Sequence, residues 1–345
     1  VVAPARPGCE HGVVAVDTEE LDPRALEALR MPLTGYCYRL LGSAADTDDA
    51  VQETLIRAYT RRDGFDPGKG RLSTWVHAIA TNVCLDMLRS ARRRMLVWEG
   101  PVPEGFDAGS VLPADRWIEP MPDAELIDAT DPAEVVVRRE SVRLAFVAAL
   151  QHLPPRQRAV LVLRDVLAFS AAETAGMLGV SAAAANSALQ RARATLDTVR
   201  TDRGHALDLD TERDRDLLRR YLVAFEAHDV DALAALLCED AESSMPPFPW
   251  RIDGRDAQLQ IFAAADDCTR DRLVPVRING SAGFGQYRPD EHGVLRPFAL
   301  LAVEQRGGRI ARLLTFLGTQ ARFARFGLPE TYDSAATDEF RPPAT

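Results

Sequence analysis

The feature that most constrains this chain is the punctuation between Ser170 and Arg193. Ser170-Ala171-Ala172-Glu173 is a capping box: a serine hydroxyl and a glutamate carboxylate close off the free N–H groups of a helix start. Gly179 stands where the left-handed residue beyond a helix end favours glycine, and Ser181 supplies the cap of a second helix. That helix carries Ala185, Leu189, Ala192 and Leu196 on one stripe, at i, i+4, i+7 and i+11. Asn186, Ser187, Gln190, Arg191 and Arg193 lie off the stripe. Upstream, Leu153-Pro154-Pro155 opens another helix, because proline is tolerated in a first turn. Two helices joined by a tight glycine turn, the second with a polar exposed face, make a helix-turn-helix pattern. A helical hairpin in some other bundle has the same spacing.

If the second helix enters a major groove, Asn and Gln suit adenine, and Arg suits guanine or phosphate. Its first turn, Ala182 to Ala185, is poor in donors. Compact alanines there permit close approach to the backbone or to a thymine methyl.

A second segment, 71–94, is helical, with Leu72, Trp75, Ile79 and Val83 as its apolar stripe. Asn82, Asp86, Arg89 and Arg93 form a polar stripe at i, i+4, i+7 and i+11, and Arg92 to Arg94 cluster charge near a helix C-terminus. Basic groups beside Trp75 suit a strand whose bases can unstack, although the spacing of Trp75 favours a core position. A first helix runs to Leu41 and stops at Gly42. The next follows Ser43, with Val51, Leu55 and Tyr59 on one face and acids in its first turns. Its opposite face, with Gln52, Arg57 and Arg61, fits either a partner or solvent. Asp66-Pro67-Gly68-Lys69-Gly70 is a turn.

The net charge of −10 argues against nucleic-acid binding only while it is treated as uniform. Between Glu99 and Glu140 eleven acids face three bases, a local charge of −8, and prolines interrupt the stretch. Residues 95–133 therefore read as an acidic linker. Residues 1–21 and 331–345 read as tails, and 201–213 as a short linker or helix extension. The segment 214–330 opens with helical stretches (Leu217–Ala227, Val230–Cys238). Strand-like runs follow at Leu273–Ile278, Phe298–Glu304 and Ile310–Phe316, the last two joined by a Gly307-Gly308 hairpin signal. Helices followed by an antiparallel sheet make an α+β unit. Five scattered cysteines without a CxxC pair suit a reducing compartment, and no histidine spacing indicates a metal. The start of the chain shows no secretory signal, and no apolar run has membrane-spanning length.

With these residues in view, "DTDDAVQETLIRAYTRRDGFDPGKGRLSTWVHAIATNVCLDMLRSARRR" (Asp46–Arg94) resembles domain 2 of extracytoplasmic-function sigma factors of the sigma-70 family. "LPPRQRAVLVLRDVLAFSAAETAGMLGVSAAAANSALQRARATL" (Leu153–Leu196) resembles their domain 4. The segment with "YLVAFEAHDVDALAALLCEDA" (Tyr221–Ala241) looks like a SnoaL-like cone, which a subset of these factors carries. Trp117-Ile118-Glu119-Pro120 with Pro122-Asp123 resembles a Trp/Pro motif of that subset. The implied fold is multidomain: two all-α sigma domains, at 22–94 and 134–200, and a C-terminal α+β SnoaL-like cone.

The resemblance implies roles. Asp49, Gln52 and Glu53 would dock on the clamp helices of the polymerase β′ subunit, with the β flap as a further contact of the factor. Trp75, Thr81, Asn82, Asp86, Arg89 and Arg93 would serve the −10 element. Ser181, Asn186, Ser187, Gln190, Arg191 and Arg193 would serve the −35 element. It also implies a cytoplasmic protein that is not an enzyme and needs no cofactor, with core RNA polymerase and promoter DNA as partners. An anti-sigma factor and a small ligand of the C-terminal unit are further candidates, and no membrane is expected. Two other functions stay open: an isomerase or cyclase using His228, Asp229 or Asp231, and a helix-turn-helix regulator independent of polymerase. Cis modulation is expected too, through linker acids docking on the basic reading faces.

Overall fold

The computed structural model describes residues 22–89, 111, 113, 116–127, 139–199, 205–249 and 251–333. The expected tail at 1–21, that at 331–345 from 334 onward, most of the linker, and Arg93 with its basic neighbours lie outside these residues; within the expected second tail, Tyr332 N–H donates to Leu295 O at 3.1 Å.

The N-terminal bundle contains α1 (Pro23–Glu27), α2 (Arg30–Leu41), α3 (Ala44–Thr60) and α4 (Leu72–Leu88). Gly42 ends α2 at φ 69°, and the Ser43 hydroxyl caps α3 by accepting from Asp46 N–H at 3.2 Å. The Asp66–Gly70 turn forms, with the Asp66 carboxylate accepting from Gly68 N–H. A short α5 (Asp123–Leu126) follows in the linker.

The next helices are α6 (Leu144–Leu150), α7 (Pro155–Leu161), which continues as a π-helical turn over Val162–Val166, α8 (Ala171–Leu178) and α9 (Ala182–Val199). Both halves of the Ser170–Glu173 capping box are present, and Gly179 is left-handed at φ 63°. Ala185, Leu189, Ala192 and Leu196 are all buried, as their spacing predicts.

The C-terminal unit holds α10 (Glu212–Glu226), α11 (Val230–Leu236) and α12 (Arg255–Ala263) against one curved sheet. Its strands are β1 (His205–Ala206), β2 (Leu237–Ser244), β3 (Arg251–Asp253), β4 (Arg272–Ile278), β5 (Ser281–Pro289), β6 (Leu295–Arg306) and β7 (Arg309–Leu317). The order is β3-β2-β7-β6-β5-β4, antiparallel except for β2 beside β7. Gly307 and Gly308, both at positive φ, form the β6–β7 hairpin. A 3-10 helix, Gln320–Phe326, closes the unit.

Three expectations are corrected here. The stretch at 201–213, expected as a short linker or helix extension, contains β1 at His205–Ala206 and the first turn of α10 from Glu212; β1 pairs with Glu304 and Gln305 of β6, past the last β6 residue that β5 reaches. The helix expected through Cys238 stops at Leu236, and Leu237 already begins β2. On α4 the fully buried stripe is Val76, Ala80, Val83 and Cys84, whereas Leu72, Trp75 and Ile79 are half-buried at its flank.

Three apolar clusters organise the molecule. One merges α1–α4 with α6–α9, from Leu33 and Val76 to Phe169 and Leu196. Alternate sheet residues feed the other two. Leu301, Val303 and Phe284 face α10–α12, while Leu300, Ala302 and Tyr287 face Tyr38, Ile118, Met121, Leu126 and Val147. The outer face of the C-terminal sheet is therefore covered by the linker and by helices of both bundles.

Candidate nucleic-acid interface

α9 presents its polar face to solvent because its small apolar residues occupy the opposite stripe. Asn186, Ser187, Gln190 and Arg191 are exposed together, and Arg191 donates to the Ser187 hydroxyl at 2.8 Å. Ser181, also exposed, accepts from Ala184 N–H at 3.1 Å, so its side chain is occupied in holding the helix start. Arg193 is exposed, but both its Nε and Nη2 donate to Asp165, at 2.8 and 2.6 Å. The pair fastens α9 to the π-helical turn, so Arg193 has a structural partner where the sequence suggests only a DNA contact.

On α4, Asn82, Asp86 and Arg89 form an exposed row, with Arg89 on Asp86 at 3.1 Å. Trp75 is half-buried against Phe65, with ring centroids 5.5 Å apart. Thr81 does not belong to this face. It is fully buried, donating to His77 O at 2.6 Å and meeting the Tyr36 hydroxyl at 2.7 Å. Its role is to position α4 on α2.

On α3, Asp49 and Gln52 are exposed, and Glu53 is half-exposed and holds Arg57 at 2.6 Å. The sequence assigns Tyr59 to the inner face, yet Tyr59 is 48% and Ile56 53% exposed. Asp49, Gln52, Ile56 and Tyr59 thus line one outward row with two large apolar residues, a composition that fits a protein partner better than solvent. Counting Ile56 with Gln52 at i+4 would have revealed it.

The described linker acids do not lie on the basic faces. Glu119 accepts from Ala44 N–H and Ser43 Oγ at the start of α3, and from Arg322 at 2.5 Å. Burial works to raise its carboxyl, but Arg322 and these donors outweigh it and hold it below the usual range. Glu125 pairs with Arg325, which also holds Asp48 of α3 at 2.8 Å. Asp123 accepts from Gly280 N–H at 2.6 Å, and burial pushes its carboxyl up to about 6.

The centre of this joint is Asn279 in the β4–β5 turn, 1% exposed. Its amide nitrogen donates to Tyr38 Oη and Val142 O, both at 2.8 Å; its amide oxygen accepts from Met121 N–H at 2.8 Å; its own N–H donates to Met121 O at 3.0 Å. One residue ties four segments. Asn279 and Gly280 have φ values of 51° and 73°, as a two-residue hairpin requires. A Cβ at Gly280 would collide with Arg139 O.

The two bundles touch each other directly. Glu173 of α8 accepts from Arg71 at 2.8 Å and Thr74 at 3.1 Å. Burial opposes the charge, but Arg71 and the cap N–H hold its carboxyl at about 2. The His77 and Phe169 rings meet at a tilt with centroids 5.2 Å apart, and burial lowers the imidazole to about 4. Arg158 of α7 donates to Leu40 O at the end of α2.

Sigma-70 region 2 matches residues 26–94, and Sigma-70 region 4 matches 143–196. The ECF RNA polymerase sigma factor SigG of Mycobacterium tuberculosis is 42% identical over 323 residues, covering 88% of this chain and 83% of that protein. The chain belongs to the ECF RNA polymerase sigma factors.

As a sigma factor it directs promoter-dependent initiation with core RNA polymerase, and α4 and α9 belong to its regions 2 and 4. SigJ of Mycobacterium tuberculosis is 34% identical over 215 residues, 62% of this chain and 61% of that protein. The crystal structure of SigJ superposes with a TM-score of 0.55 at 23% identity, covering 89% of this chain and 100% of that one. The shared fold thus extends through the C-terminal unit. In that unit, Asp229 accepts from Ala232 N–H at 2.9 Å as a helix cap, and Asp231 is exposed. His228 stacks on Phe262 at 4.4 Å. Among the described residues no helix is long and apolar enough to cross a membrane.

Proposed function

We propose that this sigma factor reads a −10 element with Asn82, Asp86 and Arg89, aided by Trp75, and a −35 element with Asn186, Ser187, Gln190 and Arg191. Arg93 extends the first set, although it lies outside the described residues. Ser181 and Arg193 act mainly in shaping α9. Asp49, Gln52 and Glu53, with Ile56 and Tyr59 beside them, form the polymerase-docking row on α3. The working units run over 22–94 and 134–200, with the C-terminal unit starting at 205 rather than 214. The factor works in the cytoplasm, where polymerase and chromosome are, and is not itself an enzyme.

The carrying observation is that both reading faces are exposed while regions 2 and 4 share one core. Elements centred at −35 and −10 are about 25 base pairs apart, or about 85 Å at ~3.4 Å per pair. Faces on two bundles packed into one core cannot reach both. The closed arrangement must open on polymerase. The C-terminal unit modulates this step in cis by holding the linker and by gripping Asp48, next to the docking row, through Arg325.

Transcription by purified core polymerase on a promoter library tests the reading. Transcripts should depend on this chain, and N186A with Q190A should lose about 1–3 kcal/mol of discrimination per base contact while core binding is kept. Templates indifferent to the chain would refute it. Arg325→Ala should change initiation from a fixed promoter; an unchanged rate removes the cis contact from the account.

A further inference from the structure

We propose that the cavity inside the C-terminal unit binds a neutral, mainly apolar ring compound that donates one hydrogen bond. The cavity lies between α10–α12 and the inner face of the sheet, and encloses about 490 Å³. That is within the range of small-molecule sites. Tyr221, Phe225, Phe262 and Phe298 supply aromatic walls, and Leu301 and Leu313 the floor.

One polar group is built into this apolar shell. Gln286 is 5% exposed and lines the cavity. Its amide nitrogen donates at 2.6 Å to Asp271, which is fully buried and also held by Arg288 Nε at 3.0 Å and Nη2 at 2.7 Å. A carboxylate paired to arginine only accepts hydrogen bonds. The amide nitrogen must therefore face Asp271, and the amide oxygen turns away from it. That oxygen has no hydrogen-bond partner among the described residues, so the ligand must bring a hydroxyl or an N–H.

The charge balance selects a neutral ligand. Arg288 is neutralised by Asp271 behind the cavity wall, and its guanidinium covers the Phe298 ring at 3.8 Å. The one lining carboxylate among the described residues, Asp266, is exposed at the rim. An ion would lose its hydration among these walls and gain no uncommitted counter-charge. The lining includes no histidine, so the site suits capture rather than proton transfer.

The test is a fluorescence titration of the full chain with N-phenyl-1-naphthylamine, a neutral aromatic amine with one N–H that brightens in apolar surroundings. We expect a saturable, one-site rise. Gln286→Leu and Gln286→Met should each weaken binding about 5- to 10-fold, the worth of one hydrogen bond. Leu313→Trp and, separately, Leu259→Trp should abolish it by filling the cavity. Circular dichroism identifies which variants remain folded, and only these are compared. The sulfonated analogue 1-anilinonaphthalene-8-sulfonate should bind at least about 10-fold more weakly. Absence of a saturable rise overturns the site, as does full binding by a folded tryptophan variant. Unchanged affinity in both Gln286 variants overturns the role of that oxygen. Tighter binding of the sulfonate overturns the neutral class.

Discussion

Two joints hold region 2 in place, and they are made differently. Against region 4, a broad apolar contact is joined by the Arg71–Glu173 pair, the Thr74–Glu173 bond and the buried bond from Arg158 to Leu40 O. It leaves His77 Nε2 buried without a hydrogen-bond partner among the described residues. Against the linker and the C-terminal sheet, Asn279 satisfies its amide nitrogen, amide oxygen and backbone N–H together, and Glu119 caps α3 while paired to Arg322. An orphaned buried donor or acceptor costs about 1–3 kcal/mol, and that cost at His77 is relieved when the first joint opens. The difference teaches how one chain can release its reading faces while keeping its linker clamped.

The largest expected effect breaks the stronger joint. Asn279→Ala orphans Met121 N–H and Val142 O and places alanine at positive φ. Denaturant unfolding should show a loss of about 3–4 kcal/mol. A loss below about 1 kcal/mol would equalise the two joints.

The joints should also respond oppositely to acid. Asp123 at about 6 lies above its unfolded value of about 3.9, so its contribution is complete below that value and is lost as pH rises through 6. Asp123→Asn keeps an acceptor for Gly280. It should add about 3 kcal/mol at pH 7.5 and little near pH 4. His77 at about 4 lies below its unfolded value of about 6.5, so its contribution is present above 6.5 and is lost as pH falls through 4. Amide-exchange protection along Val76–Cys84, taken relative to the intrinsic exchange rate at each pH, should therefore fall on acidification, and His77→Phe should flatten that dependence. Parallel pH responses at the two joints would contradict the contrast.

The smallest effect sharpens it. Arg71 is mostly exposed, so Arg71→Ala should cost under about 1 kcal/mol of stability. It should still raise promoter-dependent initiation, because it removes a bond present only in the closed form. An unchanged rate would remove that pair from the opening step.

The helix-turn-helix was legible because each of its signals is local: the capping box, Gly179, and a four-residue apolar stripe on α9. The Gly307-Gly308 hairpin was legible for the same reason. β5 was not, since Gly283 and Gly285 interrupt its alternation; a Cβ at either would strike a neighbouring chain segment, Leu301 O or the Leu328 side chain. Asn279-Gly280 did carry a readable hairpin signal, but no strand was expected between Ile278 and Phe298 to pair across it. The linker's acid run hides which acids meet arginines, because Arg322 and Arg325 stand some 200 residues away. Thr81 looks polar in a helical plot, yet its hydroxyl is spent on His77 O and Tyr36, which only packing reveals.

The most direct test of the closed-to-open account is an energy-transfer distance between dyes on the exposed positions 82 and 190, attached through bioorthogonal side chains. The free chain should give a short distance. Adding core polymerase and a cognate promoter should lengthen it to several tens of ångströms. A distance that stays short in a complex that is making transcripts would contradict the account.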